Sequence, residues 1–150
     1  TAFVAGLLHD IGKLVMDQYA AEDLAKVIEE AEFRKCAFVD AERSVITTDH
    51  SAIGAWLVQK WGFPEVLVGW VQNHHTPGME AQDSNIAISV FADYLCKVKG
   101  IAASGSHDPA VLSRQAWTCL RLDQANLPSI MQEGGGEIRL ADDLLALGMA

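Results

Sequence analysis

No stretch of this chain alternates apolar and polar residues in the way a half-buried strand must; its apolar residues recur every three to four positions. The segment from about Ala21 to Phe33 shows the pattern, with Leu24, Val27, Ile28 and Ala31 on one helical face. A chain built from such segments must bury apolar stripes against other stripes. The fold class is therefore all-α, an irregular bundle of about seven or eight helices with no sheet.

Breakers set the expected boundaries. A first helix covers Ala2 to about Leu8, and Gly12 then interrupts the pattern. Residues 39–61 hold two helices separated near Thr47-Thr48-Asp49, where Thr48 or Asp49 offers an N-cap oxygen. Gly62 stops the second of these, and Pro64 opens another that runs to about His75 and ends at Thr76-Pro77-Gly78. Asn85 to Lys99 forms a long helix closed by Gly100. Beyond it come a polar linker at residues 102–108, helices over Pro109 to Leu122 and Gln124 to Gln132, a flexible Gly134-Gly135-Gly136, and a short helix over Ala141 to Leu147. Residues 1–100 read as a helical core, and residues 101–150 as C-terminal helices packed on it or leading to another domain. The chain opens at Thr1 and is apolar at once, as a piece cut from a longer, N-terminally extended protein would be.

Charge and composition narrow the function. The net charge is −9, from 11 Lys+Arg against 20 Asp+Glu. Such a field repels phosphate backbones, so general nucleic-acid binding is disfavoured. The apolar run Ala2 to Leu8 is far short of the roughly 20 residues a bilayer crossing needs, and no secretory signal pattern is present. No membrane association is expected. Cys36, Cys96 and Cys119 are odd in number and widely spaced, which fits reduced thiols in a cytoplasmic protein. Trp56, Trp61, Trp70 and Trp117 read as core or helix-interface anchors.

The chemistry concentrates in histidine and aspartate. His9 adjoins Asp10; His50 continues the stripe Ile53, Leu57, Trp61; His74 and His75 continue stripes through Leu67, Val68 and Val71. Asp93 shares a face with Ile86 and Val90. Each has an ordinary structural explanation, such as a helix-end cap for a histidine or an i,i+4 pair between Asp93 and Lys97. Taken together they supply nitrogen and oxygen donors suited to zinc, iron or manganese. Glu42 could orient a ligand histidine, though its place in the sequence reads more readily as a surface helix position. His107, in a polar loop, reads as solvated.

The run Ala5-Gly6-Leu7-Leu8-His9-Asp10-Ile11-Gly12-Lys13 resembles the defining motif of the HD superfamily of metal-dependent phosphohydrolases. Asp49-His50-Ser51-Ala52-Ile53-Gly54-Ala55-Trp56-Leu57, Lys60 to Glu65, and Val71-Gln72-Asn73-His74-His75-Thr76-Pro77 are similar to the HDOD branch of that superfamily. The resemblance spans roughly residues 1–100. It implies a metal set of His9, Asp10, His50, His74, His75 and Asp93, with Lys13 meeting a substrate phosphate and Asp10 and Lys13 as the catalytic pair. It also implies that a ligand from an earlier helix lies outside this chain. Thr76-Pro77-Gly78-Met79 stands where the cyclic-di-GMP phosphodiesterase branch carries an acidic residue and a Gly-Tyr-Pro signature, so that activity is not expected.

Two functions follow from the resemblance. The preferred one is a signal-transduction module with a His/Asp metal site, which takes a phosphorylated small ligand and acts on other signalling domains or proteins. The alternative is a metal-dependent phosphohydrolase, a phosphomonoesterase or phosphodiesterase. In it, His9, Asp10 and Asp93 would hold one metal, and His50, His74 and His75 a second.

Overall fold

The structure is a computed structural model that describes residues 2–76, 78, 83–98 and 112–133. Its helices in chain order are α1 (Ala2–Leu8), α2 (Ile11–Tyr19), α3 (Ala21–Arg34), α4 (Phe38–Val45), α5 (His50–Lys60), α6 (Glu65–Asn73), α7 (Ser84–Val98) and α8 (Arg114–Cys119). A 3-10 turn at Gln124–Asn126 leads into a further helical stretch, 127–133. No strand occurs among the described residues. None of their helices is long and apolar enough to cross a membrane.

Three buried clusters hold the helices together. Met16, Val27, Ala31, Phe38 and Ala41 join α2, α3 and α4. Ala5, Leu67, Trp70 and Ile86 join α1, α6 and α7. Ala55, Val58, Val68 and Val71 zip α5 to α6. Val27, Val58 and Val71 are fully buried, and burial of a side chain this size contributes about 1.5–3 kcal/mol.

The α2–α5 crossing positions the site, and glycine makes it possible. A Cβ on Gly12 would lie 2.0 Å from the His50 carbonyl oxygen, inside the backbone of α5. Gly54 answers from the other side, where a Cβ would stand 3.2 Å from the Gly12 nitrogen and 3.1 Å from Val71. The expectation that Gly12 interrupts helical structure is thus corrected. Gly12 is buried within α2, and the missing side chain serves interhelical contact.

Asp49 caps α5, its carboxylate accepting from the Ala52 main-chain N–H at 2.9 Å and from the Arg43 guanidinium at 2.7 Å. This fixes His50 as the first residue of α5. Gly62, with φ of 76°, lets the chain turn back after α5.

Other boundaries shift slightly. Helix α6 ends at Asn73, two residues before the expected end, which leaves His74 and His75 in the following turn. Of the expected Pro109–Leu122 helix, residues 109–111 lie outside the described residues, and within 112–122 the helix α8 covers Arg114–Cys119, capped by Ser113. Trp70 is buried, but Trp56 and Trp61 are 57% and 55% exposed, so the reading of all four tryptophans as anchors is corrected for these two. Trp56 stacks beneath the Lys60 ammonium on the outer face of α5. The expected linker at 102–108, Gly100, His107, the three glycines and the helix over 141–147 lie outside the described residues.

Candidate metal centre

Four of the sequence-derived ligands meet at one point. Asp10, His50, His74 and His75 each present a donor atom, all within 4.8 Å of one another. They come from three places. Asp10 sits in the turn between α1 and α2, His50 opens α5, and the histidine pair follows α6. His50 Nε2 is 3.1 Å from Asp10 Oδ1, 3.3 Å from His74 Nε2 and 3.1 Å from His75 Nε2. His74 Nε2 is 3.7 Å from Asp10 Oδ1.

These spacings are hard to satisfy with hydrogen bonds alone. His50 Nε2 carries at most one proton, yet Asp10 Oδ1, His74 Nε2 and a further ring nitrogen, His75 Nε2, all crowd around it. Asp10 Oδ1 is buried, and no donor reaches it in hydrogen-bonding geometry. A buried carboxylate oxygen left in this way is costly. A cation among the four donors would resolve the conflict. Ligands about 2.0–2.1 Å from a tetrahedral centre stand about 3.3–3.4 Å apart, close to the spacings found here. The residues present fit a borderline transition metal, with three imidazoles and one carboxylate.

The protonation states of Asp10, His74 and His75 suit that task. Burial pushes the Asp10 carboxyl up, but the His50 and His74 imidazoles and the charges of His9 and Lys13 outweigh it and hold it well below the usual carboxylate range. Burial pushes His74 down, and burial with the neighbouring His74 and His50 pushes His75 down to about 2. Both rings are therefore neutral at neutral pH, with lone pairs to offer. His74 Nδ1 donates to the Val71 carbonyl at 2.7 Å, which leaves its Nε2 as the free acceptor. Burial pushes His50 down, and the Asp10 and Glu42 carboxylates more than reverse that, so its ring is shifted up.

Of the other expected residues, His9 and Lys13 flank the four donors and Asp93 lies outside them. His9 lies at the rim, its Nδ1 2.7 Å from the Gly6 carbonyl and its Nε2 3.5 Å from Asp10 Oδ2; its ring meets His74 edge-on at 5.1 Å. Asp93 does not join the four donors and pairs instead with Lys97 one turn along α7, at 2.8 Å. Lys13 Nζ bonds Asp10 Oδ2 at 2.9 Å and rests over the Phe38 ring at 5.3 Å. Asp10, expected to share a metal with His9 and Asp93, stands here beside His50, His74 and His75.

Glu42 corrects another expectation. It is fully buried, with Oε2 2.6 Å from His50 Nδ1 and Oε1 accepting from the His50 main-chain N–H at 3.2 Å. A signal for this existed in the sequence. Glu42 lies four residues after Phe38 and three after Val39, on the buried stripe of α4.

The HDOD domain family profile matches residues 1–77, the part of the chain that carries all four donors. The chain belongs to the HDOD domain family. A solved HDOD domain protein of unknown function from Geobacter sulfurreducens superposes with a TM-score of 0.77 at 25% identity, over 95% of this chain and 52% of that one. An uncharacterised Treponema pallidum protein is 31% identical over 83 residues, 49% of this chain and 14% of the relative. This HDOD chain thus spans about half the length of the solved structure and a small part of the curated relative.

Proposed function

We propose that this HDOD domain is a cytoplasmic signal-transduction module. It holds one divalent iron, manganese or zinc ion on Asp10, His50, His74 and His75, and it passes occupancy of that site to other signalling domains or proteins. The observation that carries the reading is the convergence of three imidazole nitrogens on a buried Asp10 oxygen that has no hydrogen-bond donor. Because the α1–α2 turn, the start of α5 and the turn after α6 supply the ligands, filling the site would tie three places in the chain into one arrangement, which suits a domain that reports on a bound ligand. The test is metal analysis of the purified protein, wild type against Asp10→Ala. Near-stoichiometric metal in the wild type, falling to a small fraction in the variant, is the expected result. A wild type that neither carries metal nor takes up zinc, iron or manganese would end the reading.

A second reading, a metal-dependent phosphohydrolase, has its own support in Lys13. Its ammonium is anchored beside the donor cluster by Asp10 Oδ2 and remains partly exposed. A bound metal would lower the pKa of a water and neutralise phosphate charge. Lys13 would hold a phosphate oxygen, and His9, at the rim, would face the same ligand. If phosphomonoesters or phosphodiesters are hydrolysed, Lys13→Ala should lower turnover about 10²–10³-fold. If the domain only binds, the same change should weaken binding of a phosphorylated ligand with no turnover to lose.

A further inference from the structure

We infer that Glu42 is the positioning residue of this site: its carboxylate fixes the ring of His50 so that the Nε2 lone pair, and not an N–H, faces Asp10, His74 and His75. The inference rests on the metal-site reading only for its consequence, since the hydrogen-bond argument holds without an ion.

A buried, ionised carboxylate can only accept hydrogen bonds. Glu42 is fully buried on α4, and both of its oxygens face the same residue. Oε1 takes the His50 main-chain N–H at 3.2 Å. Oε2 stands 2.6 Å from Nδ1, the range of a charge-assisted bond. The ring therefore carries its proton on Nδ1, and the opposite nitrogen is left to act as a ligand. The main-chain bond fixes the start of α5, and the ring bond fixes χ angles at the same residue. Asp10 Oδ1, 3.1 Å from Nε2, would by itself draw a proton onto that nitrogen. Glu42 opposes that outcome.

Glutamine cannot do the same work, although its shape is nearly identical. It offers one acceptor and one donor, whereas His50 presents two N–H groups to this residue. If the amide oxygen faces the main chain, the amide NH2 faces Nδ1 and the ring proton must move to Nε2, where it blocks the lone pair. If the amide is reversed, the main-chain N–H loses its acceptor and α5 begins one contact short.

The experiment is nitrogen NMR of the histidine rings at alkaline pH in the metal-free wild type and in Glu42→Gln, with zinc titrations of both. In the wild type, His50 should show a protonated Nδ1 and an unprotonated Nε2. Glu42→Gln should move that proton, or mix the two forms, and weaken zinc binding about 10–100-fold. A purely packing role for Glu42 would lower the melting temperature but leave the ring tautomer alone. A wild-type ring with its proton on Nε2 overturns the inference, as does a Glu42→Gln protein with unchanged zinc affinity. If the wild type binds no zinc while Glu42→Gln still moves the ring proton, the metal reading fails and the positioning role stands. If Glu42→Gln does not fold, the wild-type spectrum alone decides.

Discussion

His75 shows how position in the turn matters at the scale of single residues. In the sequence it was a neighbour of His74, expected on the same faces of a helix running through both. Because α6 stops at Asn73, the pair turns, the ring centroids come within 4.1 Å, and His75 Nε2 reaches His50. His75→Ala removes a direct donor, so it should cost more than the roughly 10–100-fold typical of an orienting partner. Zinc titration by calorimetry checks this, and an affinity within a fewfold of wild type would remove His75 from the ligand set.

What the sequence conceals at this scale is partner choice. Asp93 carried the right chemistry, but Lys97 one turn on gave it a local partner. Glu42 sat among Asp40 and Arg43 and looked solvated, yet helical periodicity turned it inward while they stayed exposed. Residue type names the possible ligands; only packing decides which of them meet.

Among the elements, the clearest dependence is that of α2 on α5. Helix boundaries at α1, α3, α5 and α7 were legible within a residue or two, because caps and breakers act locally. The α2–α5 crossing was not, because a glycine read alone signals a break as readily as a close contact. Gly12→Ala should push α5 away by its His50 carbonyl. We expect a loss of about 1–3 kcal/mol, the usual range for overpacking, and weaker metal binding as His50 shifts from Asp10. Urea melts with parallel zinc titrations would measure both. An Ala variant with wild-type stability would show that the helices separate without cost.

A second prediction for the elements concerns α6 and α7. Asp83, just before α7, accepts from the Trp70 indole N–H at 3.0 Å and from the Asn85 main-chain N–H at 2.8 Å. Its slight burial pushes the carboxyl up, but these donors outweigh it and hold it below its ordinary value. A carboxyl lowered by folding contributes stability above its unfolded pKa, near 3.9, and the contribution is lost as pH falls through the lower folded value. Asp83→Asn should therefore melt below wild type at neutral pH, and the gap should close under acid conditions. A gap that stays constant from neutral to acid pH would show that the carboxylate charge plays no part.

For the whole molecule, the donor cluster borders two of the buried cores, through the His50 ring on Phe38 and the His74 bond to the Val71 carbonyl. Met16 and Phe38 belong to the cluster under α2, α3 and α4, and Val71 to the one between α5 and α6. His50 is fully buried, with its ring tilted against Phe38 at 6.2 Å. Metal-free protein must keep three imidazoles and a carboxylate in contact while Asp10 Oδ1 lacks a hydrogen-bond donor, which opposes the apolar burial around them. A ligand that binds the folded chain and not the unfolded one adds about 2.7 kcal/mol when free ligand is 100 times Kd. For a domain of this size that corresponds to a rise in melting temperature of about 5–10 °C. Zinc or manganese should therefore raise the wild-type melting temperature by that order as a single cooperative transition, because the α1–α2 turn, α5 and the turn after α6 cannot unfold separately while they share an ion. Asp10→Ala and His75→Ala should lose most of the rise. Calorimetry with and without metal checks the claim, and an equal rise in the variants would place the metal elsewhere on the protein.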